Sequence, residues 1–186
     1  MLELAALGLL QKEPLHGYRL KQQLELFMSG CISANYGAIY PLLKRLEQKG
    51  ALEVFTEELD SSEVNRKMYR ITDEGKRLWK KKMLSHPKES WVHARSRFMI
   101  KFFFFSTLES EERLQLLEHR LLVCRLKLEQ QEGAEKLCDP YQAKACERYI
   151  QVIKNEIEWL NEQFLAEIAK HKDIIPNLSS NLPLTL

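Results

Sequence analysis

The sequence predicts a mainly α-helical chain made of two unlike parts, and three observations carry that expectation. Of 186 residues, 29% are charged and 45% hydrophobic, yet only 7 are glycine and 6 proline. Such a composition, rich in Leu, Lys, Glu and Gln, favours helix. Gly8, Gly17, Gly30, Gly37, Gly50 and Gly75 crowd into the first 75 residues, and only Gly133 lies beyond. Apolar residues recur at helical spacing along most of the chain, whereas a period of two is confined to residues 52–72. The composition excludes collagen-like, disordered and disulfide-scaffold classes. It also speaks against a large α/β enzyme, which needs Gly-rich turns and many apolar strand runs.

The elements follow in order. Leu2, Ala5, Ala6, Leu9 and Leu10 share one face, which predicts a short apolar helix ended by Pro14. A second helix is expected from Leu15 to Phe27, with Leu20, Leu24 and Phe27 on its stripe and Arg19, Lys21 and Gln22 outside it. Ser29-Gly30 stops it, and Ser33 and Asn35 are N-cap candidates for a third helix, YGAIYPLLKRLEQK, with stripe Ile39, Leu42, Leu43 and Leu46. Pro41 is tolerated there because its missing N–H falls in the first turn, where donors lack intrahelical partners. Gly50 closes that helix.

Leu52, Val54 and Thr56 then alternate with Glu53, Phe55 and Glu57, and the pattern returns at 67–72 across a polar tip, 58–65. This is a two-stranded β-hairpin. Thr72 caps a fourth helix, which carries Asp73 and Glu74 in its first turn and runs to about Leu84. Ser85-His86-Pro87 breaks it, giving expected parts at 1–85, 90–173 and a flexible tail at 174–186. Helices are expected from Trp91 to Phe105, from Glu111 to about Leu137 and from Tyr141 to about Lys172. The last two carry Leu114, Leu117, Leu121, Cys124 and Leu128, then Ile150, Ile153, Ile157, Leu160, Phe164 and Ile168. Apolar seams of this kind predict an antiparallel, coiled-coil-like helical domain.

Net charge is a weak signal. Residues 1–90 hold 15 Lys/Arg against 12 Asp/Glu, and residues 91–186 hold 13 against 14. Cys31, Cys124, Cys138 and Cys146 show neither C-x-x-C nor Cys/His metal spacing, so no metal site is expected, and reduced thiols are preferred to a redox sensor. No secretory leader is read at Met1-Leu2-Glu3, and the longest apolar run, Phe102–Phe105, is far below the ~20 residues of a membrane span. A soluble, cytoplasmic protein with no cofactor is expected.

Helix, helix, helix, hairpin is the order of a winged helix-turn-helix. Leu15-His16-Gly17-Tyr18, the stretch from Tyr36-Gly37-Ala38-Ile39-Tyr40-Pro41 through Leu42-Leu43-Lys44-Arg45-Leu46-Glu47, Gly50, and Arg66-Lys67-Met68-Tyr69-Arg70-Ile71-Thr72-Asp73-Glu74-Gly75 closely resemble the PadR family of bacterial transcriptional regulators. The likeness covers residues 1–80, and the second half, above all Arg97-Phe98-Met99-Ile100-Lys101-Phe102-Phe103-Phe104, looks like the dimerisation domain of the longer subfamily. The chain departs from the common wing pattern at Val64-Asn65.

The resemblance implies a homodimeric regulator, most simply a repressor, that binds an inverted-repeat operator in double-stranded DNA and is open to release by a small-molecule effector. The third helix would enter the major groove. Ser33, Asn35, Tyr36, Tyr40 and Lys44 lie at its N-terminal end or outer face, with Asn35 and Lys44 the better donors, and Tyr40 either at the DNA or half-buried under the wing. Arg66 and Lys67 would grip phosphates or the minor groove, against the plainer reading of a charged edge strand. Tyr18 would touch the backbone at a helix N-terminus, whereas His16 is as well suited to packing. Lys80-Lys81-Lys82 reads better as a solvated helix end than as a second DNA patch. Phe102–Phe105 reads as dimer core rather than as an effector pocket with Trp91 and Phe98. A winged-helix protein-interaction adaptor is the main alternative. A helical-bundle enzyme is disfavoured, because no catalytic set, Gly-rich phosphate loop or nucleophile elbow is present.

Overall fold

The computed structural model describes residues 1–28, 36–57, 66–133 and 139–179. They fall into two compact units, Met1–Ser106 and Thr107–Leu186. The first begins with α1 (Leu2–Leu10), whose residues from Leu4 to Leu10 are all buried. A helix apolar on every side sits inside a core, and α1 is the centre around which the others pack. Next come β1 (Leu15–His16), α2 (Gly17–Met28), a single 3₁₀ turn at Tyr36–Ala38 and α3 (Ile39–Gln48). The wing is β2 (Leu52–Glu57) and β3 (Arg66–Ile71), followed by α4 (Asp73–Leu84) and α5 (Trp91–Phe103). Leu20, Leu24, Ile39, Leu43, Leu46 and Met83 are sealed from solvent, each contributing roughly 1.5–3 kcal/mol of transfer free energy.

The sheet corrects one expectation. Leu15 and His16 do not open the second helix but form a third strand, and the order is β1-β3-β2, antiparallel throughout. Leu15 pairs with Tyr69 and His16 with Met68, while β2 and β3 run in register from Leu52↔Ile71 to Glu57↔Arg66. Two residues are too few to show a period, and Leu15 reads equally well as a helix stripe until Tyr69 supplies its partner.

The end of α3 is locked twice. Gly50 takes φ 68°, the left-handed conformation that glycine adopts without a Cβ clash. Its N–H donates to the Glu47 carbonyl, and the Ala51 N–H donates to that of Leu46, the paired bonds of a Schellman ending. The Thr72 hydroxyl donates to the Gly50 carbonyl at 2.6 Å and accepts from the Gly75 N–H at 3.1 Å. One side chain thereby caps α4 and clamps the end of α3 to the foot of the wing.

The sequence suggests a division at residues 85–90, yet α5 belongs to the first unit. Phe104 is buried and meets Trp79 of α4 edge-on at 6.1 Å, and Phe98 meets Phe105 likewise at 6.2 Å. Phe104 and Phe105 are core of this unit, whereas Phe102 is half-buried and Phe103 exposed. Lys101 donates to the Ser85 carbonyl at 2.6 Å, at the C-terminus of α4, and Arg97 grips Glu89 at 2.6 and 3.1 Å. These bonds strap the α4–α5 connector onto α5. Burial, aided by the neighbouring Arg97 charge, lowers the Lys101 pKa to about 8.

The second unit is a hairpin of α6 (Ser110–Glu132) and α7 (Pro140–Ser179). Its antiparallel sense follows from its cross-pairs, Arg113–Glu167, Arg120–Glu156 and Lys154–Glu132. Arg120 reaches Glu156 at 2.9 and 2.6 Å with both side chains buried. Glu167 accepts from Arg113 and Ser110. Burial raises its pKa, but those hydrogen bonds outweigh it and leave the carboxyl below its usual range. The helix α7 continues to Ser179, so the expected tail is helical over 174–179, and 180–186 lie outside the described residues. No helix among the described residues is long and apolar enough to cross a membrane.

Candidate nucleic-acid interface

The first turn of α2, the exposed face of α3 and the start of β3 meet around one open groove of about 870 Å³, lined by residues that include Tyr18, Arg19, Tyr40, Arg66 and Lys67. Four sequence-predicted residues, Tyr18, Tyr40, Arg66 and Lys67, thus come together. Tyr40 is exposed, 54% by area, and so is not covered by the wing. It lies so close over Gly17 that a Cβ there would fall 2.6 Å from the ring. Tyr18 is 59% exposed, and its hydroxyl accepts from Gln22 at 3.2 Å. Lys44 is exposed one turn beyond Tyr40 on α3. Tyr36 opens the 3₁₀ turn before α3, and its side chain, like Ser33, Asn35 and Cys31, lies outside the described residues.

His16 has a structural task. Its Nδ1 accepts from the Arg19 N–H at 3.2 Å, so the imidazole caps α2, and its ring plane lies parallel to that of Tyr18. Arg19 and Gln22 were missed as site residues. The signal was present, because Tyr18, Arg19 and Gln22 share the face of α2 opposite Leu20 and Leu24. Lys67 lies 5.5 Å above the ring of Tyr69 and 3.6 Å from the Glu47 carboxylate. Tyr69 is buried, and that burial pushes its phenol above the ordinary value against the opposing pull of Lys67. Arg70 stacks on Phe55 at 4.5 Å and pairs with Glu53 on the other face of the hairpin.

Leu117, Leu121, Ile153 and Leu160 are buried within the chain's own hairpin, and Leu114, Ile150, Ile157 and Phe164 are half-buried. The apolar side chains this hairpin leaves open include Leu122, Leu126 and Leu165, each more than half exposed. Leu122 and Leu165 border a groove of about 600 Å³ between α6 and α7, beside Phe164. Cys124 is buried and Cys146 exposed, neither in a disulfide, and Cys138 lies outside the described residues. Among those residues no group of His, Cys, Asp and Glu is placed to hold a metal ion.

A helix-turn-helix core with an antiparallel wing, presenting aromatic rings and cations on one concave face, defines a winged-helix transcriptional regulator. The chain belongs to the PadR-like family of transcriptional regulators. That family's model matches residues 6–81. The negative transcriptional regulator PadR of Bacillus subtilis (strain 168) is 32% identical over 187 residues, spanning 91% of this chain and 98% of that protein. Two crystal structures of B. subtilis PadR match with 89% of this chain and 98% of the other covered. One is in complex with operator DNA (27% identity, TM-score 0.44) and the other with p-coumaric acid (26%, 0.42). Members of this family are regulators of transcription and not enzymes.

Proposed function

We propose that the protein is a homodimeric repressor that binds an inverted-repeat operator and leaves it when a small aromatic acid binds. The observation that carries the reading is the groove beside α3, where Tyr18, Tyr40, Arg66 and Lys67 converge. An exposed helix flanked by cations suits a major groove of about 12 Å width. On this reading α3 contributes Tyr40 and Lys44 to the duplex, with Ser33, Asn35 and Tyr36 at its entrance. Arg66, Lys67 and Tyr18 hold the sugar-phosphate backbone. The B. subtilis relative supports repression by its name and supports DNA and an aromatic acid as ligands by its complexes. A regulator of chromosomal DNA in a bacterium works in the cytoplasm.

Two-fold symmetry requires a self-complementary face. We place it on the outer side of the α6–α7 hairpin, at Leu122, Leu126 and Leu165. Half-sites then lie about one DNA turn, ~34 Å, or a multiple of it apart.

The test is selection of genomic fragments by the full-length protein, followed by footprinting and titration against salt. A symmetric footprint is expected. Lys44→Ala with Arg66→Ala should weaken binding by about 10- to 100-fold and flatten the salt slope by about 0.9 for each phosphate no longer neutralised. An unchanged slope and affinity would favour a winged helix that docks protein.

A further inference from the structure

Two cations of the groove are already neutralised, each by a carboxylate from a different segment of the chain. Glu47 of α3 lies 3.6 Å from Lys67 of the wing, and Glu13, in the turn before β1, lies 3.6 Å from Arg19 of α2. These are exposed pairs, too weak to matter for stability. Their location gives them a different consequence. Lys67 and Arg19 both line the groove, so a phosphate that approaches either must displace a carboxylate. From the geometry we infer that Glu13 and Glu47 are specificity-determining residues, which suppress sequence-independent attraction to the DNA backbone. The inference rests on the DNA-binding reading above.

The differential effect follows from how the two modes of binding are held. Sequence-independent binding is driven almost wholly by cations that release condensed counterions from phosphates. In that loosely seated, hydrated mode a cation paired with its own carboxylate adds little net charge and releases few counterions. In a register-locked complex, base contacts bring phosphate oxygens to hydrogen-bonding distance, and a charge-assisted bond to Lys67 or Arg19 replaces the carboxylate. The exchange is repaid only there. Because a genome offers millions of wrong sites, the ratio of the two affinities decides occupancy.

The experiment uses the full-length protein, a 30-bp random-sequence duplex and the tightest genomic fragment that the wild type selects. Glu13→Gln/Glu47→Gln should bind the random duplex about tenfold more tightly, with a salt slope steeper by about one or more. The selected fragment should tighten by less than about threefold. Glu74→Gln removes the carboxylate of a similar exposed pair on α4, 2.7 Å from Arg77, and should leave both affinities unchanged. Equal tightening on the two probes, or none on either, overturns the inference while leaving the DNA reading intact. A wild type that binds neither probe overturns both. Glu47→Asp, which restores a carboxylate, should return the random-duplex slope toward the wild-type value, and failure to do so also counts against the inference.

Discussion

Thr72 shows how one side chain can hold a reading head in place. Its hydroxyl bonds Gly50 beyond α3 and Gly75 inside α4, so valine, the near-isosteric replacement, loses both bonds at once. Thr72→Val should cost about 1–2 kcal/mol in urea unfolding. It should also weaken operator binding, because the clamp sets where α3 stands against the wing. Thr72 was legible in the sequence as a cap, since Thr before Asp-Glu is a strong N-terminal signal. Its second bond was not, because Gly50 is 22 residues away and only the folded hairpin brings it near. His16 was legible as a residue near the interface but not as a cap. Imidazole is an uncommon capping group, and only the turn into α2 aims Nδ1 at the Arg19 N–H.

At the scale of elements, periodicity found the long helices and both wing strands but not what each helix covers. Leucines spaced 3 and 4 apart are as consistent with a chain folding on itself as with two chains pairing, and Leu117, Leu121, Ile153 and Leu160 took the first course. The phenylalanine run at 102–105 was similarly ambiguous until Trp79 appeared as a neighbour of Phe104. The α4–α5 strap yields a pH prediction. Lys101 is lowered to about 8 from 10.5 by burial first and Arg97 second, with Glu89 opposing. Its folded pKa is thus below its unfolded one, and between those values the unfolded chain binds more protons. The contribution of Lys101 to stability is therefore least favourable below pH 8 and improves as pH rises toward 10.5. Lys101→Met should be at least as stable as wild type at pH 7. Its advantage should shrink by about 2–3 kcal/mol by pH 10. Paired urea titrations at the two pH values measure that difference, and a constant gap would contradict it.

For the molecule as a whole, the assembly proposed above can be tested at the open leucines of the hairpin. Leu122→Glu with Leu126→Glu should convert the protein to a monomer in sedimentation without unfolding it, since both side chains are exposed. Operator affinity should then fall by about 100-fold or more, as two tethered half-sites become two separate encounters. A dimer that survives the double substitution would relocate the interface. The hairpin that carries these leucines has one further property. Arg120–Glu156 and Arg113–Glu167 bridge its two helices at successive levels, the first fully enclosed. If either helix slid by one turn, about 5.4 Å, an arginine and a glutamate would each face hydrocarbon, at a cost of roughly 3–5 kcal/mol for the enclosed pair. The two bridges mesh like the wards of a lock. Sliding would therefore cost the hairpin both bridges, and its two helices keep one register relative to each other.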